Sequence, residues 1–428
     1  MPRGEHGAAR YPAAWPRDKP TRCPAPVNPP MSYYVPIVRH LYVHIPFCVR
    51  RCSYCDFSIA VRKRIPAAEY VQCVQREFQL VQSGRVDPAA ALRGSTSTRG
   101  APDALETLYL GGGTPSLLGT DALSALLGSL LDSASSSATR EAIEITLEAN
   151  PEDVTPIAAR EWRRAGVNRV SLGAQSFDDR VLQWMHRSHD AARITEAVRT
   201  LRAAGIDNVS LDLIFALPVE LRRDWTRDLD AALALLPAHL SLYGLTVEER
   251  TPLARWISRG ATSAPDDERY AADYLVAHEQ LGAAGYHFYE VSNACRGDLR
   301  SRHNSAYWSG RDYVGLGPAA HSFDGRTRRW NVAQWEAYRR AIEVDGTAVE
   351  SQETLTAEQQ ELERLYLALR TDEGLSLTAV RAPHAAPLQT WGTAGWVDVA
   401  DGRVRCTPEG WLRLDALVRA LTGPLATV

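Results

Sequence analysis

The sequence predicts an α/β fold: a partial, TIM-like (β/α)6 barrel followed by a small C-terminal domain of the helical or winged-helix type. Short apolar, β-branched runs recur along the chain, helix-length segments separate them, and the pattern changes after Phe323. Strands that alternate with helices in this way form parallel sheets. Six units are too few to close an eight-stranded barrel, so we expect an open one.

The barrel elements follow one another in a regular order. The predicted strands are Leu41–Ile45, Thr107–Gly111, Glu144–Ala149, Arg169–Ala174, Val209–Leu217 and His239–Leu245. The predicted helices are Ala67–Val81, Asp121–Leu131, Pro156–Ala165, Ala191–Ala204, Arg222–Leu235 and Asp266–Ala284. Thr155 and Asp190 stand at N-cap positions, and Gly166 and Gly205 stand where a left-handed residue ends a helix.

The ends of the chain differ from the barrel in composition. Residues 1–30 are rich in Pro, Ala and Arg, and we expect them to be disordered. The core domain is predicted to span 31–325, with a polar surface loop at Ser95–Pro102. The C-terminal domain, 326–428, has three predicted elements: a helix Thr356–Arg370, a hairpin of Trp396–Val399 with Val404–Thr407, and a closing helix Pro408–Leu421.

Composition narrows the classes of function. The net charge of −3 gives no broad basic surface, so nucleic acid is not an expected partner. No apolar run reaches the roughly 20 residues that span a bilayer, although peripheral contact with a membrane stays open. Seven cysteines are an odd number, and three of them lie within eight residues. This pattern favours a metal or cluster site in a reducing cytoplasm over a disulfide framework.

The three clustered cysteines are Cys48, Cys52 and Cys55, which follow the first predicted strand. Three thiolates can bind three irons of a [4Fe–4S] cubane and leave the fourth iron open to an exchangeable ligand. A zinc site is the first alternative, although structural zinc prefers four protein ligands. Buried thiols without a metal are the second.

Residues around these cysteines support a cluster. Tyr54 and Phe57 are predicted to shield it, and Arg50 and Arg51 to favour the thiolate form of the cysteines. Cys73, Cys295 and Cys406 are expected to be structural.

Polar groups also end or interrupt successive apolar strands. The glycine run Gly111–Pro115 follows the second strand and would let backbone N–H groups approach a ligand closely. Glu148, Gln175 and Asp212 lie at or within the next three strands. Burying any of them without a partner would cost about 1–3 kcal/mol, so each should have one. That partner is either a ligand or a structural hydrogen bond.

The CxxxCxxC spacing, with an aromatic residue before the last cysteine, resembles the signature of the radical SAM superfamily. The longer string YVHIPFCxxxCxYCDF, with Tyr42 at its start, is similar to two of its families, the HemW heme chaperones and the oxygen-independent coproporphyrinogen III oxidases (HemN). The resemblance runs from about Tyr33 to the C-terminus. It implies S-adenosylmethionine (SAM) on the open iron, where electron transfer to the sulfonium yields methionine and a 5′-deoxyadenosyl radical. It also implies SAM contacts from Tyr42, Gly112, Gly113, Thr114, Glu148, Gln175, Arg187 and Asp212.

Two features separate the families that the sequence resembles. Phe57 stands where the oxidases have a fourth cysteine, and HNSAYW at His303–Trp308 matches the HNxxYW motif of HemW-type proteins. The latter implies heme binding with His303 as iron ligand, against the alternative of a satisfied core histidine. His321 is a second candidate. A heme chaperone with an unidentified acceptor protein and electron donor is therefore expected. The alternatives are the oxidase of heme biosynthesis and a radical SAM enzyme with an unrelated substrate.

Overall fold

The computed structural model describes residues 38–83, 105–134, 137–379 and 385–422. The predicted N-terminal extension, 1–30, and the predicted loop Ser95–Pro102 lie outside the described residues. No helix of the described part is both long and apolar enough to cross a membrane.

Six parallel strands form the barrel wall, and each predicted strand is confirmed to within two residues. They are β1 His40–Ile45, β2 Thr107–Gly112, β3 Glu144–Ala149, β4 Arg169–Gln175, β5 Asn208–Phe215 and β6 His239–Gly244. Three short strands that the sequence did not reveal extend the sheet: β7 His287–Glu290, β8 Asn293–Cys295 and β9 Val314–Leu316. The order is β9-β1-β2-β3-β4-β5-β6-β8-β7. Only β8 runs antiparallel to its neighbours, β6 and β7. The predicted partial barrel is confirmed.

Six helices cover the outside of the barrel: α1 Ala67–Gln82, α2 Thr120–Ala134, α3 Pro156–Arg164, α4 Ala191–Ala203, α5 Trp225–Ala234 and α6 Asp267–Ala283. Thr155 and Asp190 accept backbone N–H bonds at the starts of α3 and α4, as predicted. The predicted start of α5 at Arg222 is wrong. Arg222 takes a left-handed conformation (φ 47°), and the Asp224 side chain caps the helix two residues later. Two short helices, Asp179–Trp184 and Pro252–Ser258, lie in the loops at the strand ends.

The C-terminal part has helices α7 Arg302–Trp308, α8 Trp335–Arg340, α9 Ala357–Arg370, α10 Ala385–Thr393, α11 Pro408–Trp411 and α12 Leu414–Thr422. Its strands are β10 His321–Phe323, β11 Thr327–Asn331, β12 Val349–Thr354, β13 Leu375–Ser376, β14 Val397–Ala400 and β15 Arg403–Cys406. They form the antiparallel sheets β10-β11-β12 and β13-β15-β14. The predicted boundary at residue 325 falls in the turn between the paired strands β10 and β11, and the division into domains stays a prediction.

The wing hairpin forms as predicted, with left-handed Asp401 and Gly402 in its two-residue turn. The single closing helix predicted at Pro408–Leu421 is wrong, because it is broken between α11 and α12. The Trp411 indole donates to the Leu369 carbonyl, and a tight bond from the Arg413 N–H to the Gly410 carbonyl ends the first helix.

A buried carboxylate joins the C-terminal part to the barrel. Glu77 on α1 accepts hydrogen bonds from the Gly317 N–H (2.8 Å), the Asn331 amide (2.6 Å) and the Tyr338 hydroxyl (2.7 Å). Burial raises the pKa of Glu77 to about 7. Gly317 packs directly on the His44 carbonyl, where a Cβ would come within 2.5 Å. Glu77 thus fixes a loop that supports β1, the strand that leads to the cysteines.

The raised pKa of Glu77 predicts a pH-dependent part of the stability. The folded state binds the proton more tightly than the unfolded state, so this contribution is fully present below about pH 4.5 and is lost as pH rises through about 7. The full loss is on the order of 3 kcal/mol. Glu77→Gln cannot titrate and should lack this pH dependence in denaturant unfolding at pH 5 and pH 8. The exposed control Glu350→Gln should behave as the wild type, and a parallel pH dependence in Glu77→Gln would contradict the assignment.

Candidate functional site

The cysteine loop lies at the carboxyl end of the barrel strands, where parallel α/β folds place their sites. The short strand Phe47–Cys48 pairs in parallel with Ala60–Val61. The fully buried Ser53 fixes the middle of the loop, because its N–H donates to the Met185 carbonyl (3.2 Å) and its carbonyl accepts from the Leu253 N–H (2.9 Å). The sheet and two neighbouring loops therefore determine where the three cysteines lie.

All three cysteines of the loop are free thiols. Burial raises the pKa of Cys48 to about 11 and also raises that of Cys55. Arg50 and Arg51 were predicted to favour the thiolates, but burial has the larger effect on the pKa of Cys55. Arg50 is exposed, and Arg51 donates to the Cys55 carbonyl (3.2 Å). A metal that binds Cys48 and Cys55 would therefore have to displace their protons.

The donors of the loop can be compared with what each metal requires. Among the described residues, no three His, Cys, Asp or Glu side chains surround the position of a single ion. One zinc ion brings its sulfur ligands within roughly 4 Å of each other, because each Zn–S bond is about 2.3 Å long. A cubane cluster binds each thiolate through a different iron and tolerates wider spacing. The donor set of the loop fits the cluster.

A line of polar contacts connects two of the cysteines through the barrel strands. Cys48 Sγ lies 3.4 Å from Thr114 Oγ1, which accepts from the Asn150 amide at 3.5 Å. Asn150 Oδ1 accepts from Arg187 Nη2 (2.6 Å), and Arg187 Nη1 donates to Cys52 Sγ (3.6 Å). We call the series Cys48, Thr114, Asn150, Arg187 and Cys52 the polar arc. It couples the cysteine loop to the ends of β2, β3 and β4.

Arg187 is the member of the polar arc that contacts Cys52. Its Nη2 also donates to the Gly173 carbonyl at 2.8 Å, and the guanidinium is buried. Both terminal nitrogens thus have protein partners. Arg187 thus holds Cys52 against β4, while its buried Nε has no hydrogen-bond partner among the described residues.

A histidine–carboxylate pair, His189 and Glu152, fixes the loop that carries Arg187. His189 Nδ1 lies 3.0 Å from Glu152 Oε2, and its Nε2 lies 3.3 Å from the Ala174 carbonyl. Burial alone would raise the pKa of Glu152, but the hydrogen bonds from His189 and Ser188 outweigh it and lower the pKa to about 2. Glu152 therefore stays ionised and keeps the Arg187 loop in place.

Glu148 lies beside the arc at the end of β3. It accepts from the Tyr109 hydroxyl (2.8 Å) and from the Gly112 N–H (3.0 Å), and burial raises its pKa to about 7. Tyr42, Tyr109 and Glu148 converge over Gly111, where a Cβ would lie about 3 Å from each of them. The Tyr42 hydroxyl bonds His44 Nδ1 at 3.0 Å.

The glycine run serves close packing more than the predicted donation to a ligand. Gly112 has a φ of 115°, and a Cβ there would lie 2.8 Å from the His44 ring. The Gly113 N–H donates to the Ile45 carbonyl (2.8 Å) and the Thr114 N–H to the Phe47 carbonyl (2.9 Å). The Gly112 N–H donates to Glu148, so the N–H groups of Gly112, Gly113 and Thr114 all have partners inside the protein. Oxygen atoms such as those of Glu148 and Thr114 are the groups suited to accept from an amino group.

Gln175 and Asp212 complete the strand-end group. Gln175 is left-handed (φ 67°), and its Nε2 lies 3.0 Å from the position of a Cβ on Gly173, beside Arg187. Asp212 accepts from the Ser171 hydroxyl at 2.9 Å, and burial raises its pKa to about 6. Every SAM-contact residue that the resemblance implied therefore lies in the barrel interior or at its carboxyl end.

Two aromatic residues of the cysteine loop differ in position. Tyr54 is half-buried, packs against the apolar cluster that includes Met185, and lies beside Cys52. Phe57 is 67% exposed. The prediction that Phe57 shields the cluster is therefore wrong, because the chain after Cys55 turns the ring outward into solvent.

His303 lies apart from the cysteines, deep in the barrel. Its Nδ1 is 2.7 Å from Thr107 Oγ1 and its Nε2 is 2.8 Å from the Tyr307 hydroxyl. The ring is 1% exposed and stacks on Tyr109 at 5.2 Å, and burial lowers its pKa to about 3. With both nitrogens occupied, this arrangement matches the core-histidine alternative, and it offers no nitrogen to a heme iron. His321 is exposed and stacks on Trp330 at a centroid distance of 5.8 Å.

Sequence reasoning missed Asn150 and Tyr109, which connect the predicted residues to each other. Asn150 follows Glu148 in the LEANP segment at a strand end, and that position was the available signal. In the sequence, Tyr109 is one of several large residues of an apolar strand. No local pattern indicates that its hydroxyl contacts Glu148.

Comparison with known proteins gives consistent matches. The chain matches the profile of the Radical SAM superfamily over residues 42–232. It is 36% identical over 386 residues to the heme chaperone HemW of Mycobacterium tuberculosis H37Rv, covering 90% of this chain and 94% of that protein. The heme chaperone HemW of Bacillus subtilis 168 is 32% identical over 339 residues, covering 79% and 85%. The solved structure of Escherichia coli coproporphyrinogen III oxidase (HemN) shares the fold, with a TM-score of 0.73, 21% identity and 92% of each chain covered.

Removal of single thiols tests the candidate cluster site. Cys48→Ala, Cys52→Ala and Cys55→Ala should each lose most of the iron and sulfide that the wild type takes up on anaerobic reconstitution, since each removes the only protein ligand of one iron. Cys73→Ala, a buried cysteine of α1, is the matched control and should keep the wild-type content. Wild-type iron in any of the three loop variants would show that the cysteine concerned is not a ligand.

Proposed function

This chain belongs to the radical SAM superfamily and, within it, to the HemW family, and we propose on this basis that it binds heme and transfers it to an acceptor protein. We further propose that it holds a [4Fe–4S] cluster with exchangeable SAM. The polar arc carries the second proposal, because it joins the cysteine loop to the strand-end residues through direct contacts. The free thiols fit a reducing compartment, in support of a cytoplasmic location.

Different residues of the site would contact the cluster and SAM. Cys48, Cys52 and Cys55 would each bind one iron and leave the fourth for SAM. When reduced, such a cluster supplies one electron that cleaves a SAM carbon–sulfur bond. Glu148 and Thr114 present oxygens for the SAM amino group, and Arg187 holds Cys52 in position. Asp212, Tyr42 of β1 and Tyr109 of β2 line the barrel interior next to these groups.

Coproporphyrinogen oxidation is the second candidate function, favoured by the shared fold with HemN. The residue at position 57 bears on the choice. The oxidase pattern has a cysteine there, whereas this chain has an exposed phenylalanine. A heme chaperone remains the better supported function, because relatives with that name match over nearly the whole chain.

Of the two histidines considered as heme ligands, His321 is the accessible one. Partial burial and the nearby Arg328 lower its pKa, which favours the neutral imidazole that binds iron. Trp330 stacks against it and offers an apolar face beside the ring. We therefore propose that heme binds at the β10–β11 surface with His321 as a ligand.

The raised pKa of Glu148 leads to a prediction for SAM binding. Glu148→Gln should weaken SAM binding to the reconstituted protein by at least about tenfold, since a charge-assisted hydrogen bond is lost. In the wild type, affinity should fall as pH drops below about 7 and Glu148 takes up a proton. Anaerobic calorimetry measures both effects, with Glu350→Gln as control. Unchanged affinity in Glu148→Gln would remove Glu148 from the proposed site.

The proposed function is tested with anaerobically purified protein that carries its cluster. We expect stoichiometric heme binding, seen as a shifted Soret band, and no protoporphyrinogen from coproporphyrinogen in the presence of SAM and a reductant. Porphyrin turnover would instead establish the oxidase. Failure to bind heme would overturn the chaperone proposal.

Two variants locate the heme in the same experiment. His321→Ala should lower heme affinity and change the spectrum. His303→Ala should leave the spectrum unchanged and lower stability, because it opens a cavity among Tyr42, Tyr109 and Tyr307. The reverse pattern would mean that the interior histidine rearranges to ligate iron.

A further inference from the structure

The outer face of the cysteine loop, Val49–Arg64, exposes apolar side chains unusually close to a candidate redox centre. Val49 is 50% exposed, Phe57 67% and Val61 46%. Val49 follows Cys48 directly, and Val61 pairs with Cys48 across the short parallel sheet. We call this surface the loop face. Aromatic and apolar side chains in such a position are typical of a protein interaction site.

The loop face is also strongly basic, although the whole chain has a net charge of −3. Its only acidic residue is Asp56, and its basic residues are Arg50, Arg51, Arg62, Lys63 and Arg64. Arg50, Lys63 and Arg64 are exposed and form no ion pair within the described residues. Arg62 pairs with Glu336 at 3.2 Å, but both side chains are exposed, so this pair contributes little. The surface therefore retains a concentrated positive charge.

The basic residues adjoin the cluster ligands through the backbone. The Arg62 N–H donates to the Cys48 carbonyl at 2.9 Å, so the run Arg62–Arg64 begins beside a cluster cysteine. The opposite side of the loop is closed by Ser53 and its partners Met185 and Leu253. A protein that exchanges electrons with the cluster can approach through the loop face without entering the barrel.

We propose that the loop face is the docking site of the cluster's electron donor, a small protein with an acidic surface around a one-electron redox centre. This inference rests on the proposed cluster. The donor's reduced centre loses one electron, the cluster passes from the 2+ to the 1+ state, and no bond or proton changes hands. Opposite charges steer the encounter, and Phe57 with its apolar neighbours supplies the contact at the centre.

The composition of the chain allows a specific test by cross-linking. Lys63 is one of only two lysines in the chain, the other being Lys19. A carbodiimide that joins carboxylates to amines should cross-link the holoprotein to flavodoxin, used as the acidic probe, through Lys63. Lys63→Arg keeps the charge and should abolish the cross-link with little change in affinity. A cross-link formed only through Lys19 would contradict the proposal.

Charge reversal tests the same face by affinity and by reduction. Lys63→Glu with Arg64→Glu should weaken flavodoxin binding at least tenfold at low salt and slow reduction of the cluster by flavodoxin, whereas reduction by dithionite stays unchanged. Phe57→Ala should weaken binding as well. Arg160→Glu with Arg163→Glu, on the exposed side of α3, is the control with the same charge change and should bind as the wild type.

The iron content and the EPR signal of each variant distinguish a failure of the proposed cluster from a failure of the docking site. If the wild type assembles no cluster, the proposed function and this inference both fail. If the charge-reversed protein has a full cluster yet binds flavodoxin and is reduced as fast as the wild type, the docking site alone is refuted. Binding of the loop face to phosphatidylglycerol vesicles, with none to flavodoxin, would assign it to a membrane surface instead.

Discussion

The protonation of the Cys48 and Cys55 thiols is the constraint on which the rest of the site depends. Burial raises the pKa of Cys48 and Cys55, so at neutral pH they are protonated unless a cation takes the place of the protons. The neighbouring arginines Arg51 and Arg187 lower these pKa values, but burial has the larger effect. A cluster of four irons would supply that charge, and two backbone hydrogen bonds at Ser53 fix the middle of the loop that carries the thiols.

Around this constraint the barrel supplies a connected set of polar groups. The polar arc runs from Cys48 to Cys52 through Thr114, Asn150 and Arg187, so a ligand at the strand ends and a cluster in the loop would share partners. Its rigidity depends on side chains outside it, such as the ionised Glu152 under the Arg187 loop. This sharing gives a physical reason why so many polar residues lie at the ends of successive strands.

The sequence predicted the parts whose signal is local. Six barrel strands follow from apolar β-branched runs, and the spacing of the three loop cysteines indicates a cluster. Strands β7, β8 and β9 have three or four residues each, too few for a periodic pattern, and they form only because a longer neighbour pairs with them. Glu77 and Asn150 owe their roles to contacts across more than 30 residues of sequence. For the same reason, no local pattern revealed that Thr107 and Tyr307 occupy both nitrogens of His303.

The most direct test of the account is the EPR spectrum of anaerobically reconstituted, dithionite-reduced protein with and without SAM. Three cysteine ligands and an open iron predict about four irons and four sulfides per chain, together with the signal of a reduced cubane whose g values shift when SAM binds. Protein without iron and sulfide, protein that holds one zinc ion, or a cluster signal indifferent to SAM would contradict it.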